Sequence, residues 1–294
     1  MAAVASPPAV HASLGEVRPL VSDLGDWWIV TLHQLRHYFR TNRFLGLLGF
    51  VFVVSAVTLT FEISVGVATE RLTQLYHSSE YVCNFLGYAP LWIILAAAFF
   101  GGDALSVDFS TGAGYYMLVL PIRRSVLLVG RYAAAALVTF AIVGVYYAFA
   151  IAGGAYFFSL ASLPWAEIGQ SLGVAVLFTL ATLSVAFCIS AFIRTPAAGV
   201  LITILALYVG FNALGDAAQL TNVEPWFSLN YAGGAIFSVL DTDFIHRQLV
   251  PIGEGQYNII WTATVQEGLE VMAGYLAAFL PLSAFLYYRK ESTG

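Results

Sequence analysis

Six long apolar segments constrain this chain more than any other feature of its sequence. A helix needs roughly 20 apolar residues to cross the hydrocarbon core of a bilayer. Apolar residues make up 60% of the chain and charged residues only 10%, whereas a soluble domain carries about 25% charged residues. The sequence therefore predicts an all-α membrane protein with six transmembrane helices, at Phe44–Phe61, Phe85–Ala104, Val126–Phe158, Ile168–Ile193, Ala197–Leu214 and Leu269–Tyr288.

The distribution of basic residues predicts the orientation of these helices, because lysine and arginine beside membrane spans stay in the cytoplasm. With six crossings, only Arg71 and Arg247 fall on one side of the membrane. Both termini are then cytoplasmic, and we predict a multi-pass protein of the cell (plasma) membrane. The basic residues on the cytoplasmic side are Arg18, Arg36, Arg40, Arg43, Arg123, Arg124, Arg131, Arg194, Arg289 and Lys290.

The segment before the first span divides into two parts. Residues 1–22 have neither the basic start nor the apolar run of a signal peptide, and they predict a flexible cytoplasmic tail. Residues 23–43 predict an amphipathic interfacial helix. Its apolar stripe is Trp28, Leu32, Leu35 and Phe39, and its polar arc is His33, Arg36, His37 and Arg40. The two histidines have a metal-ligand spacing, but without a third ligand nearby a solvated polar face is preferred and no metal site is predicted.

The loop between the second and third spans carries a distinctive spacing of residues. Asp108 is followed by Gly112, the apolar run 117–120, Pro121 and the pair Gly130-Arg131. This pattern resembles the cytoplasmic loop of ABC-2 type transporter permeases, the membrane subunits of a class of ATP-driven exporters. The chain departs from the family pattern in three ways. The family prefers threonine where this chain has Ala113 and lysine where it has Arg131, and the charged residues usual near the acidic residue are absent.

The resemblance implies that residues 44–294 form a six-span permease domain in which loop 105–125 couples to a separate cytoplasmic ABC ATPase. ATP and Mg would be bound by that partner, so no cofactor is expected in this chain. A second permease subunit, identical or related, would complete a dimer. The implied coupling residues are Asp108, Gly112, Tyr115, Tyr116, Leu118, Pro121, Arg123 and Arg124. From the residues alone, an ordinary interfacial loop with basic anchors is the alternative.

The long region 215–268, before the last span, is predicted to lie on the side of the membrane opposite the cytoplasm. Its apolar part, Trp226–Leu240, is too short and too rich in glycine and serine for a comfortable crossing, which indicates short re-entrant or interfacial helices. We predict an outer gate, with a lipid-facing aromatic belt as the alternative. The gate residues are Trp226, Phe227, Tyr231 and Phe237.

Motifs for catalysis are absent from the sequence. There is no phosphate-binding loop of the G-x-x-x-x-G-K-[ST] type, because the only lysine is Lys290 and no glycine precedes it. Common metal and serine hydrolase motifs are absent as well. We therefore predict that the chain is not an enzyme and that ATP hydrolysis belongs to the partner. Nucleic acid is not expected as a partner.

The predicted function is export of a hydrophobic or amphiphilic substrate, because ionisable residues occur only near the ends of the spans. The main alternative is a standalone secondary carrier or channel without ATP, and an intramembrane enzyme is a third. The pair Gly169-x-x-x-Gly173 is typical of close helix packing. Packing within one subunit is the preferred interpretation of this pair, and a subunit interface is the alternative.

Overall fold

The computed structural model describes residues 20–69, 78–107, 123–241, 244–253 and 256–291. Six helices within these ranges are long and apolar enough to cross a membrane, which confirms the predicted number. They are Arg43–Ser64, Ser78–Gly101, Arg124–Phe158, Trp165–Phe192, Pro196–Leu220 and Val265–Arg289. Each overlaps one of the six apolar segments, so the chain is a multi-pass helical membrane protein.

Helices account for most of the described elements. In chain order they are α1 (Leu20–Arg40), α2 (Arg43–Thr69), α3 (Ser78–Leu86), α4 (Ala89–Gly101), α5 (Arg124–Phe158), α6 (Trp165–Phe192), α7 (Pro196–Ile204), α8 (Phe211–Leu220), α9 (Leu229–Gly233), α10 (Ala235–Ser238) and α11 (Val265–Glu291). A π-helical segment, Leu205–Gly210, joins α7 to α8. Two strands, β1 (Arg247–Gly253) and β2 (Gln256–Trp261), precede α11.

The core of the bundle lies around α6. In the most apolar 18-residue window of this span 67% of the residues are buried, against 22% for the first span, 17% for the fifth and 11% for the last. Phe178 and Phe187 of α6 are fully buried, as are Ile93 and Phe100 of α4. Helix α6 therefore occupies the centre of the bundle, and the first, fifth and last spans lie at the periphery of the bundle.

Two of the six spans are interrupted. The second breaks between α3 and α4, where Pro90 stands in the first turn of α4. Proline has no backbone N–H and is tolerated there because that group has no helical acceptor. The fifth passes through the π-helical segment, and beside it the Asn212 amide donates to the carbonyl of Tyr208 at 2.6 Å. Short π-helical segments inside α-helices are frequent at functional sites.

Helix α1 packs along α5 and also contacts α4, through a line of residues next to the predicted stripe. The Thr31 hydroxyl donates to the carbonyl of Gly130 at 3.3 Å, and the Tyr38 hydroxyl donates to that of Phe100 at 3.0 Å. Both side chains are buried, whereas Trp28 and Phe39 of the predicted stripe are 51% and 48% exposed. The helix thus has a face that packs on the bundle and a second aromatic face that is open to its surroundings.

The predicted short helices before the last span correspond to α9 and α10, and they reach well into the bundle. A Cβ placed on Gly233 would lie 3.0 Å from the ring of Phe178. Phe178 is thirteen residues into α6, about 20 Å along that helix at 1.5 Å per residue. The Ser171 hydroxyl also donates to the carbonyl of Ile236 at 2.6 Å.

The all-α prediction missed one element, the antiparallel hairpin of β1 and β2. Its register runs from Arg247 opposite Trp261 to Gly253 opposite Gln256, with an irregularity between Pro251 and Gly253. Proline cannot donate to a strand ladder, and glycines are typical of hairpin turns. The polar character of this region does not by itself indicate strands, so the sequence does not predict the hairpin.

Candidate functional site

Most of the predicted coupling loop lies outside the described residues. This applies to Asp108, Gly112, Tyr115, Tyr116, Leu118 and Pro121. Arg123 and Arg124 are described, and both are exposed. Arg123 has an extended backbone and occupies the N-cap position of α5, which begins at Arg124. The structure therefore defines the two ends of the loop, at Val107 and Arg123.

The first end of this loop, residues 103–107, is held in a buried polar network that we call the loop base. The backbone N–H groups of Leu105 and Ser106 donate to the Ser190 hydroxyl of α6 at 3.0 and 3.2 Å. Arg131 of α5 is buried and donates to the carbonyl of Ala104 at 3.0 Å. Since buried backbone groups must be paired, these bonds fix the loop base to α5 and α6.

An ion pair joins the loop base to the first span. The Arg43 guanidinium, at the start of α2, donates to the carboxylate of Asp103. The Asp103 side chain is 4% exposed, and that of Arg43 is 45% exposed. Near the pair, burial and the positive charge of Arg43 both lower the pKa of His37. A buried carboxylate is costly without a partner, so Asp103 holds α2 at this position.

Through the backbone of Gly199, the fifth span closely approaches Gly102, the residue before the loop base, and Ser106 within it. A Cβ on Gly199 of α7 would lie closer than 3.0 Å to the carbonyl oxygen of Gly102. Real Cβ atoms essentially never approach another atom so closely, so only glycine fits here. The end of α4, the loop base and α7 therefore form one closely packed unit.

Beside this unit, an open groove runs between α2 and α7 with α4 as its floor. Its volume is about 840 Å³. Leu47 and Phe50 form one wall, and Val200 and Leu201 form the other. Arg43 and Asp103 stand at one end, so the groove is apolar along its length and charged at the loop base. The surface suits an amphiphilic molecule or the helices of another subunit.

A second cavity lies at the opposite end of the bundle, and we call it the outer cleft after the side of the membrane on which the sequence predicts it. It has a volume of about 460 Å³ and contains residues from α4, the π-helical segment, α8, α9 and β2. Two polar residues of its lining, Asn230 and Trp261, have buried side-chain nitrogen or oxygen atoms without a hydrogen-bond partner among the described residues. Its lining includes Tyr88, Tyr208, Asn212, Asn230, Tyr231 and Trp261.

The structure places the four predicted gate residues at two different positions. Tyr231 and Phe237 line the outer cleft. Trp226 and Phe227 line a separate cavity of about 460 Å³ beside α11, where their rings are 6.2 Å apart in an edge-to-face arrangement. Trp226 is 64% exposed. The four side chains therefore do not form one plug in this structure, and each pair needs its own test.

Three residues that no sequence motif links, Glu224, His246 and Glu267, meet beside the outer cleft. One possible ligand atom from each lies within 4.8 Å of the others. His246 Nε2 is 3.8 Å from Glu224 Oε1, and its Nδ1 is 3.8 Å from Glu267 Oε2. Burial and the hydrogen bond to Glu224 raise the pKa of Tyr231, whose hydroxyl donates to Glu224 Oε1 at 2.8 Å.

The predicted histidine pair of α1 shows a different arrangement. His33 and His37 are both exposed. Among the described residues, the group at Glu224, His246 and Glu267 is the one whose side chains could together hold a metal ion. Its members are separated by 22 and 21 residues in the chain, so no local spacing marks them.

The fold and these sites define a multi-pass helical membrane protein with a fixed loop base, an apolar groove and an outer cleft. No protein-family model matches the chain, and no curated protein matches it either. The similarity of loop 105–125 to ABC-2 type permeases therefore stays a prediction.

Proposed function

We propose that this chain is the membrane-spanning permease subunit of an ATP-driven exporter of the ABC-2 type. The observation that carries this proposal is the loop base. A partner that pushed on loop 105–125 would act on residues bonded to Arg43 of α2, Arg131 of α5 and Ser190 of α6. Because these bonds are mostly buried, a displacement of the loop base would move the ends of the helices to which it is bonded.

The proposed path is the groove between α2 and α7. Both of its walls belong to peripheral spans, and α7 touches the loop base through Gly199. A second permease subunit, identical or related, would cover the open side of the groove and so enclose a path. ATP binding and hydrolysis in the cytoplasmic ABC ATPase would then alter the spacing of α2 and α7 through the loop base.

The lining of the groove supports a hydrophobic or amphiphilic substrate. Leu47, Phe50 and Leu201 offer apolar surface, while Arg43 and Asp103 offer charge at one end. Such a surface holds an acyl or aromatic body together with a polar head. The proposed setting is the plasma membrane with both termini in the cytoplasm, which the excess of arginine around the loop base favours.

The proposal is tested by affinity purification of the tagged chain from its native membrane in mild detergent. We expect an ABC ATPase to co-purify in stoichiometric amount. Replacement of Tyr115–Leu120 by polar residues should abolish this association, because the apolar side chains of this segment would no longer offer a contact surface. The matched control replaces Ile245 and Leu249, which are 57% and 59% exposed far from the loop base, and should keep the ATPase.

The contrary result would be a chain that purifies alone, intact and dimeric under conditions that preserve other transporters. That result would favour the alternative function, a standalone carrier or channel. An ATPase that stays bound after the polar replacement would support the complex but reject the coupling role of residues 115–120.

The outer gate gives a separate prediction. Alanine at both Tyr231 and Phe237 should raise the leak of small solutes through reconstituted protein, because these side chains narrow the outer cleft. Alanine at both Trp226 and Phe227 serves as the comparison, since that pair lines the cavity beside α11. Leak is measured as release of a fluorescent solute from vesicles. Unchanged leak in both double variants would eliminate the gate and favour the aromatic belt.

A further inference from the structure

We propose that Glu224, His246 and Glu267 bind a divalent transition-metal ion, with Zn²⁺ as the best fit. The three residues come from three separate elements: the segment after α8, the residue before β1 and the first turn of α11. One ligand atom from each lies within 4.8 Å of the others. Rotation of the two glutamate side chains toward Nε2 of His246 would bring the ligand atoms to the metal–ligand distances of about 2.0–2.2 Å that zinc sites show. This inference is independent of the proposed function.

Each proposed ligand is oriented by a second hydrogen bond. His246 Nδ1 lies 2.9 Å from the carbonyl oxygen of Thr262. A carbonyl only accepts, so Nδ1 carries the proton and the lone pair of Nε2 is left for a cation, on the side of Glu224. Metal-binding histidines are held in this way by a carbonyl or carboxylate that accepts from the other ring nitrogen.

The two carboxylates are oriented in a similar way. Glu224 Oε1 accepts from the Tyr231 hydroxyl at 2.8 Å. Glu267 Oε2 accepts from the backbone N–H of Thr264 at 3.0 Å, while the Glu267 N–H is paired with the Thr264 hydroxyl at 3.3 Å. This reciprocal pair is a capping box at the start of α11. It occupies one oxygen of Glu267, and the other oxygen stays available to a cation.

The charge of the group also favours a cation. Within the described parts of the chain, the ion-pair contacts of Glu224 and Glu267 are both with His246. A single imidazole balances at most one carboxylate, and only when it is protonated. The three side chains are 28–36% exposed, so a metal ion has access from solvent. A divalent cation would balance both carboxylates and leave the imidazole neutral.

The ligand types select the class of metal. Imidazole suits zinc, copper, iron and nickel, whereas calcium and magnesium prefer oxygen ligands alone. One imidazole with two carboxylates fits Zn²⁺ with a fourth position open to water. The ion would tie the start of α11 to the hairpin and to the segment after α8. Tyr231, Trp261 and Thr262 around it also line the outer cleft, so the metal would stiffen one wall of the cleft.

The test uses the full-length purified chain, stripped with a chelator and titrated with Zn²⁺ by calorimetry. We expect one Zn²⁺ per chain and a rise in Tm on its addition, since a ligand that binds the folded state stabilises it. His246→Ala and Glu224→Gln should each weaken binding more than about 100-fold, and Tyr231→Phe should weaken it about 10-fold, as loss of an outer hydrogen bond typically does.

Two control variants match these changes. His33→Ala removes an exposed histidine of α1, and Glu270→Gln changes an exposed glutamate of α11 that bonds Gln266. Both should bind Zn²⁺ like the unchanged chain. The proposal is overturned if the unchanged chain shows no saturable binding, or if His246→Ala and Glu224→Gln bind as tightly as the controls while eluting as folded protein. The proposal would also be overturned if the two control variants lost as much Zn²⁺ affinity as His246→Ala and Glu224→Gln.

Discussion

The substitution Gly199→Ala is expected to destabilise the protein by about 3 kcal/mol, the upper end of the usual cost of overpacking. The added Cβ would meet the carbonyl oxygen of Gly102, which belongs to the backbone and cannot rotate away as a side chain could. Helices α4 and α7 would have to separate at the loop base. The expected result is a clear drop in Tm of the purified protein in detergent, measured by intrinsic fluorescence.

Gly173→Ala is the matched control for this prediction. Gly173 is an exposed residue inside α6, and a Cβ there would have no atom within 4 Å in the described part of the chain. Alanine at such a helical position is favoured over glycine by roughly 0.5–1 kcal/mol. The control should therefore keep or raise the Tm. A Gly199→Ala protein as stable as the control would show that α4 and α7 do not pack backbone to backbone.

The second large effect is expected from Arg43→Gln, which removes the partner of Asp103. We expect the free energy of unfolding to fall by about 2 kcal/mol. Loss of one partner from a fully buried pair costs about 3–5 kcal/mol, and the value is smaller here because water reaches Arg43, whose side chain is 45% exposed. The measurement is thermal or denaturant unfolding in detergent.

The double variant Arg43→Gln with Asp103→Asn separates charge from packing. It removes the buried carboxylate along with its partner, so most of the lost stability should return. Arg40→Gln is the matched control for the first change, because Arg40 is an exposed arginine at the end of α1. A double variant no more stable than Arg43→Gln would mean that the ion pair is not what holds α2 to the loop base.

These two predictions concern residues whose importance local patterns did not reveal. Gly169 and Gly173 carry the small-residue spacing typical of helix packing, and the interpretation as packing within one subunit was wrong. Among the described residues, a Cβ on either glycine would meet nothing within 4 Å. The close contact lies instead between Gly102 and Gly199, which are far apart in sequence. A spacing motif indicates that a helix can be approached closely, but not whether a neighbour lies there.

The charged residues at the ends of the spans show the same difference between a local sequence pattern and a tertiary contact. The sequence has ionisable residues only near the ends of its apolar segments, and Asp103 and Arg131 are two of them. Their partners were not predicted. Asp103 pairs with Arg43, sixty residues away, and Arg131 donates to the carbonyl of Ala104, twenty-seven residues away. These contacts depend on how α2, α4 and α5 come together at one end of the bundle.

The sequence by itself determined the class of the protein and the number of its spans. Both follow from the length and apolarity of single segments, which a bilayer selects without reference to neighbouring helices. Only the tertiary structure decided that Glu224, His246 and Glu267 meet, that a hairpin precedes the last span, and that the loop base is tied to three helices. The physical reason is that hydrophobic periodicity is local, whereas these contacts arise only when segments distant in the chain pack together.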